Sequence, residues 1–437
     1  MPGAVNRGAG GRRPTLGLAM IMRDEAANLP FSLGPAAELF DEMVCVDTGS
    51  TDSSPETAAG YGARVLHLPW PGDFSAARNY GLDRMTADYV LWLDADNSLT
   101  PSDVSLLRAR LDGGPLVLTA VEVVAPQGDR LRQKRVFFND PQCRFEGRVH
   151  EQLRHPPQWP TVATEAVIRH WGYADGAQAR RKGERNLELL LSDPETARGE
   201  FYRLYQTGRT LTNLRFLQQA EHYLVRAADA LQRPDGTTDP EINLSLWSHA
   251  LILLAQTQGR LGRHDQAEET LRLLVELRPD YGPGRQRLGR ALYEAGRWTE
   301  ARRHLEKALA AGCGDLGWGA DPRREGFTAA SILAKILAKA GEADQARLAW
   351  RQAAELAPAR PEPWVALAEA ELEAGRPQEA KKMLEKAMRL APGHRLAVSL
   401  AGRIDDLTDD LVADVEAAAS LAGRDVSTAS RGPEACP

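Results

Sequence analysis

Apolar residues follow two different rhythms along this chain. Up to about residue 175 they come in short runs separated by polar, Gly-containing turns: Leu16-Gly17-Leu18-Ala19-Met20-Ile21-Met22, Met43-Val44-Cys45-Val46, Ala63-Arg64-Val65-Leu66-His67-Leu68 and Tyr89-Val90-Leu91-Trp92-Leu93. Runs of this length with β-branched and aromatic members predict strands buried on both faces. Helical spacing over residues 23–29, 53–61 and 74–82 fills the gaps between them. Such alternation predicts a doubly wound parallel sheet. A helix over 102–111 then precedes three more strands, at 114–124, 135–139 and 166–173.

From about residue 200 the text becomes Ala- and Leu-rich and acquires a period. Ala267 and Ala301 lie 34 residues apart (301−267), as do Ala346 and Ala380 (380−346). Small residues sit twelve positions before each, at Ala255, Gly289, Ala334 and Ala368, and prolines twelve after three of them, at Pro279, Pro358 and Pro392. A helix-turn-helix unit of that length, with small residues where its helices cross, is the tetratricopeptide signature. A weaker unit around Gly208, Ala220 and Ala227 brings the total to roughly five, with insertions at 234–240 and 312–325. Stacked repeats present an extended concave surface. The array is expected to select an acceptor and to add nothing to donor chemistry; scaffold or homodimer interface is the alternative. Residues 404–421 read as an acidic capping helix and 425–437 as a disordered tail.

Candidate chemistry collects where strands end. The run Tyr89 to Leu93 stops at Asp94-Ala95-Asp96, two carboxylates that can approach one hard divalent cation; the alternative is an ordinary turn. After the second strand comes Asp47-Thr48-Gly49-Ser50-Thr51-Asp52, small and acidic as a nucleotide pocket requires, though Ser50, Thr51 or Asp52 can equally cap the next helix. Arg78, on the predicted helix before the acidic strand, suits a phosphate or a base, or else a surface ion pair. Farther on, His150-Glu151 joins a potential metal ligand to a potential general base. Glu151 can alternatively pair Arg148 or Arg154. His170 closes an apolar run, as a packing residue or a ligand. Arg181, Lys182 and Arg185 share one helical spacing, facing either a diphosphate or solvent.

Composition narrows the classes. At 437 residues the chain suggests two or three domains. It is 43% hydrophobic and 26% charged, and its net charge of −6 argues against nucleic acid as the main partner. Cys45, Cys143, Cys313 and Cys436 show neither zinc-type nor disulfide-type spacing, which fits a reducing, cytoplasmic setting. Residues 1–14 read as a frayed tail without a secretory h-region, and no membrane span is expected.

Four motifs in order, Met22-Arg23-Asp24-Glu25, Val46-Asp47-Thr48-Gly49-Ser50-Thr51-Asp52, Phe74-Ser75-Ala76-Ala77-Arg78-Asn79 and Leu91-Trp92-Leu93-Asp94-Ala95-Asp96, resemble the family 2 glycosyltransferases of GT-A fold. More closely, they are similar to the bacterial branch that carries tetratricopeptide repeats and includes bacteriocin S-glycosyltransferases. The resemblance implies an α/β GT-A-like nucleotide-diphospho-sugar transferase domain over residues 15–174, a helical connector over 175–199 and an all-α repeat solenoid over 200–403. It implies a metal-dependent, inverting hexosyl transfer from a nucleoside-diphosphate sugar, UDP-linked by expectation, to a hydroxyl or thiol of a peptide or protein. The same chemistry on an envelope polysaccharide or lipid-linked glycan is one alternative, and an inactive repeat adaptor another. By resemblance, Arg23, Glu25, Asp47, Asp52, Arg78, Arg181 and Arg185 surround the donor. Asp94, Asp96 and His170 hold Mn or Mg, and Glu151, with His150 beside it, is the base. One departure is Asn97, where relatives usually carry an acid.

Overall fold

The computed structural model describes residues 12–124, 129–170, 176–192, 199–230, 244–312 and 321–404. Several expectations fall outside these residues: the strand end at 171–173, the insertion at 234–240, most of that at 312–325, and the terminal segments beyond 404. The chain divides into two compact units, Met1–Pro279 with Gly314–Asp321, and Asp280–Cys313 with Pro322–Pro437.

In the first unit the expected alternation appears as β1 (Leu16–Met22), α1 (Leu29–Ser32), β2 (Glu42–Asp47), α2 (Ser54–Gly60), β3 (Arg64–His67), α3 (Phe74–Leu82) and β4 (Tyr89–Asp94). The four strands are parallel, in the order β3-β2-β1-β4. The apolar runs of β1, β2 and β4 are buried on both faces, as continuous hydrophobic strands require, while β3, at the edge of the sheet, is only partly covered. Helix α3 starts at Asp73, whose carboxylate accepts from the Ala76 amide, and Gly81 lets it press onto β2: a Cβ there would lie 3.0 Å from Val46 Cγ2.

Beyond β4 the sheet departs from a parallel winding. The elements are β5 (Asn97–Ser98), α4 (Pro101–Arg108), β6 (Val117–Val124), β7 (Asp129–Phe138), β8 (Arg144–Glu146), β9 (Gln152–Arg154) and β10 (Thr161–His170). Strand β7 runs antiparallel to both neighbours, giving a mixed eight-stranded sheet, β3-β2-β1-β4-β7-β6-β10-β5, with β8 and β9 as a separate pair. The predicted strand at 135–139 is the end of a ten-residue strand. Its first half, through Arg130, Arg132 and Lys134, is too polar to announce itself by hydrophobicity, yet its backbone pairs with β6.

Among the described residues, this unit continues with the helices α5 (Gly176–Ser192), α6 (Gly199–Asn213), α7 (Leu217–Asp229), α8 (Leu244–Arg260) and α9 (His264–Leu277). The second unit holds α10 (Gly282–Glu294), α11 (Trp298–Ala311), α12 (Pro322–Lys339), α13 (Ala343–Leu356), α14 (Glu362–Glu373) and α15 (Pro377–Leu390), with Ala397, Leu400 and Ile404 closing the apolar cluster of the last pair. The weak repeat is geometrically a full member. A Cβ on Gly208 would meet Leu224 Cγ at 2.6 Å and the Ala220 carbonyl oxygen at 3.3 Å; on Gly289 it would meet Leu305 Cγ at 2.8 Å and the Ala301 oxygen at 3.3 Å. The small residue of the period is thus where one helix lies on its partner. Gly289→Val is expected to lower unfolding free energy by about 1–3 kcal/mol, since a β-branched side chain overpacks that crossing. Urea denaturation followed by circular dichroism checks it; an unchanged midpoint would mean the helices separate without cost.

Candidate active site

The carboxyl ends of β1, β2 and β4 lie side by side, because Met22 pairs with Asp47 in register and Ile21 with Asp94. Strand order therefore brings together acids 47 positions apart (94−47) in sequence, in the crevice where open α/β sheets hold ligands.

Asp47 is 5% exposed; its Oδ1 accepts from the Ser50 amide at 3.0 Å and its Oδ2 lies 3.2 Å from His67 Nδ1. Burial alone would raise its pKa, but the Ser50 and His67 contacts outweigh that and lower it. Asp52 is engaged in stitching two loops. Ser54 Oγ and the Ser54 amide donate to its Oδ1 at 2.5 and 2.9 Å, and the Ala26 amide to its Oδ2 at 3.1 Å. Nearby Asp24, held at φ 55, accepts from the Thr51 amide and hydroxyl. The Arg23-to-Ala26 turn is thereby locked to the turn after β2, with both Asp52 oxygens engaged in that lock. Arg23 stays half exposed beside Asp24. The Glu25 carboxyl is pushed up by burial, against the Asn28 hydrogen bond, with Asp96 and Asp94 adding repulsion.

At the centre is Arg78, 7% exposed, reaching two acids at once: Nε donates to Glu151 Oε1 and Nη2 to Asp94 Oδ1, each at 2.6 Å. Burial opposes its charge, but the two carboxylates overcome that and raise its pKa. Glu151 is therefore tied to Arg78, and not to Arg148 or Arg154, the latter bridging to Glu146 instead. Arg135 is the second cation of the site. It is 1% exposed, bonds Glu122 Oε2 at 2.5 Å and points Nη1 at Asp94 Oδ2 from 3.8 Å. The Trp92 ring carries both guanidiniums, Arg135 at 3.9 Å and Arg78 at 4.5 Å from its centroid. Burial would lift the Asp94 carboxyl, yet Arg78 and Arg135 pull it down to about 2.

Asp96 is buried rather than open to a solvent-facing pocket. Lys182 Nζ bonds its Oδ2 at 2.9 Å and His170 Nδ1 lies 3.4 Å from its Oδ1. His170 Nδ1 also contacts Asn97 Oδ1 at 2.6 Å, and because an amide oxygen only accepts, Nδ1 is the donor of this pair. Asn97 serves this contact in place of the missing acid, its own Nδ2 buried without a hydrogen-bond partner among the described residues. Helix α5 brings Arg185 over the Phe74 ring at 4.9 Å, while Arg181 is exposed.

His150 departs from its expected place beside the base. Its ring is buried toward α6, where burial first and the Arg209 charge second lower its pKa to about 3, so it is neutral and a poor proton acceptor at physiological pH. Its backbone is left-handed at φ 54, and Tyr202 on α6 donates to its carbonyl at 2.9 Å. The first helix of the repeat region thus touches the loop that carries Glu151.

Sequence reasoning missed Arg135, Trp92 and Tyr202 and gave Lys182 no fixed role. Only Arg135 left a local signal, a charge opening the apolar run Val136-Phe137-Phe138.

A profile of the glycosyl transferase family 2 matches residues 18–168, which hold every strand-end acid and Glu151, and a tetratricopeptide repeat profile matches 260–315 and 337–404. A TPR repeat-containing protein of Synechococcus elongatus is 33% identical over 330 residues, covering 72% of this chain and 75% of that one. The chain belongs to glycosyl transferase family 2, with tetratricopeptide repeats appended. It is a glycosyltransferase. The prophage-derived glycosyltransferase SunS of Bacillus subtilis is 24% identical over 49% of this chain, which spans 53% of SunS. Among solved structures, the peptide-binding TPR protein YrrB superposes with a TM-score of 0.35 at 16% identity, over 46% of this chain and 91% of YrrB. Among the described residues no helix of this family 2 enzyme is long and apolar enough to cross a membrane.

Proposed function

We propose that this family 2 enzyme moves a sugar from a UDP-linked donor to a hydroxyl or thiol of a peptide held partly by the repeats, with inversion and with Glu151 as general base. The observation that carries this reading is the Arg78 bridge. One buried guanidinium holds the acceptor-side carboxylate and the first strand-end acid in a single arrangement. Arg78 occupies Glu151 Oε1, leaving Oε2 to take the nucleophile's proton. Asp47, at the end of β2, suits the ribose or base, as acids after strands do in nucleotide sites.

Among the described residues no three His, Cys, Asp or Glu side chains stand together as a finished metal site. The donor chemistry nevertheless fits a hard divalent cation. Asp94, Asp96 and Glu25 are oxygen donors whose mutual repulsion helps raise Glu25, and Lys182 already places positive charge on Asp96. Asp96 and Asp94 would hold the ion, with His170 as a further candidate through Nε2. Bound there, it would neutralise the departing diphosphate. Arg78 and Arg135 keep Asp94 ionised for that purpose, and α5 adds Lys182, bonded to Asp96, with Arg181 and Arg185 as further cations for the diphosphate.

Release of UDP from UDP-glucose with Mn²⁺ or Mg²⁺, compared with chelator, tests the reading. Asp96→Asn is expected to remove the metal-stimulated part of the rate. The stability cost should be small, because the new amide oxygen can still accept from Lys182, whose ammonium is itself a quarter exposed. Metal stimulation that survives the substitution would move the ion elsewhere.

A further inference from the structure

The loop from Phe145 to Glu151 is held from two directions. Helix α3, which carries Arg78, grips its beginning. Asn79 exchanges hydrogen bonds with the Phe145 amide and carbonyl at 2.9 Å each, Ser75 Oγ donates to the Gly147 carbonyl at 2.7 Å, and the Phe74 amide donates to the Arg148 carbonyl at 2.9 Å. Gly147, at φ 101, makes the turn that a side chain would strain. At the far end, one residue before the base, the hold comes from outside the α/β fold: Tyr202, buried on α6, donates to the His150 carbonyl at 2.9 Å. His150 is a non-glycine residue held in the left-handed region, with its ring Nε2 buried and without a hydrogen-bond partner among the described residues. Such a conformation persists only where surroundings over-determine it, and such sites cluster at working centres.

From this geometry we infer that Tyr202 is a positioning residue for the reaction proposed above: its hydroxyl pins the left-handed His150 so that the next residue presents its carboxylate to Arg78. The inference rests on Glu151 being the base. The register of a chain is fixed by its neighbours on both sides, and releasing the His150 carbonyl frees the peptide that precedes Glu151. The carboxylate then samples positions away from Arg78 Nε. Reaction rates respond steeply to that kind of misplacement, since a shift of about 1 Å can cost on the order of 100-fold. The same helix, α6, opens the repeat region, and Gly183 of α5 packs on Leu214 at its end, where a Cβ would come within 2.9 Å of Leu214 Cδ2. The base loop is thus seated on the helices that lead into the array, and residues 15–174 alone lack one of its supports.

The test is a double-mutant cycle in the full chain, reading UDP release from UDP-glucose together with UDP affinity by calorimetry. Tyr202→Phe deletes the hydroxyl and keeps the ring. It should lower kcat roughly tenfold, leave KM and the Kd for UDP within about twofold, and have no further effect when Glu151 is already Gln, because no base remains to be positioned. An equal loss in both backgrounds, or a loss that tracks weakened UDP binding, would show that Tyr202 only stabilises the fold. An unchanged kcat in Tyr202→Phe would also overturn the inference. If instead Glu151→Gln by itself keeps the wild-type rate, what fails is the assignment of the base.

Discussion

Glu151→Gln is expected to lower turnover by roughly 100-fold or more while leaving UDP binding intact. The substitution keeps the size of the side chain and, through its amide oxygen, an acceptor for Arg78 Nε, now 2.6 Å from Glu151 Oε1. What it removes is the ability to take a proton. Because the donor-side groups Asp47, Asp94 and Asp96 are untouched, binding should persist, and a fall in kcat without a rise in KM is the signature of a group used only in the transition state. Steady-state UDP release with a peptide or thiol acceptor, beside calorimetric titration with UDP, measures both. A variant that turns over like wild type would send the search for a base to the other acids of this crevice, and not to His150, which burial keeps neutral.

Arg78→Met should be the most disruptive single change in the sheet domain. Methionine approximates the volume but strands two carboxylates that share one guanidinium. Removing one partner of a buried ion pair commonly costs about 3–5 kcal/mol. The lower end is expected here, since Asp94 keeps a third of its side chain in solvent and has Arg135 nearby. Activity should be lost as well, because Glu151 and Asp94 then repel across the crevice they are meant to frame. Arg78→Lys should not restore it: a single ammonium cannot offer two N–H groups in a fixed fork to acids on opposite sides. Thermal unfolding of the full chain, with UDP release assayed below the transition, reads both effects. Near-native stability and rate in Arg78→Met would mean that the bridge is incidental.

Sequence alone determined what depends on neighbours a few positions apart. Strand β1 and helix α3 begin and end where the apolar spacing places them, because burying an apolar run needs only its own pattern. The acids at the ends of β2 and β4 were legible for the same reason, as was the 34-residue period. Even the weak unit at Gly208 was readable, since a close helix crossing demands a small residue at a fixed offset. The inverted strand β7 was not: its polar half is held by backbone bonds to β6, and those carry no side-chain signature.

The pairing of charges was decided by tertiary structure. Arg78 meets Glu151 across 73 positions and Lys182 meets Asp96 across 86, partnerships that exist only once the order of strands has been set. An arginine in a helix reads identically whether it faces water, a phosphate or two acids, because desolvation and the field of distant residues assign its partner. His150 makes the same point in reverse. Beside Glu151 in sequence it looked like part of the chemistry, yet a left-handed backbone and the α6 helix bury its ring elsewhere. Spacing along the chain could say which residues were candidates; only the packing of the sheet and the helices against it decided which of them face the same point in space.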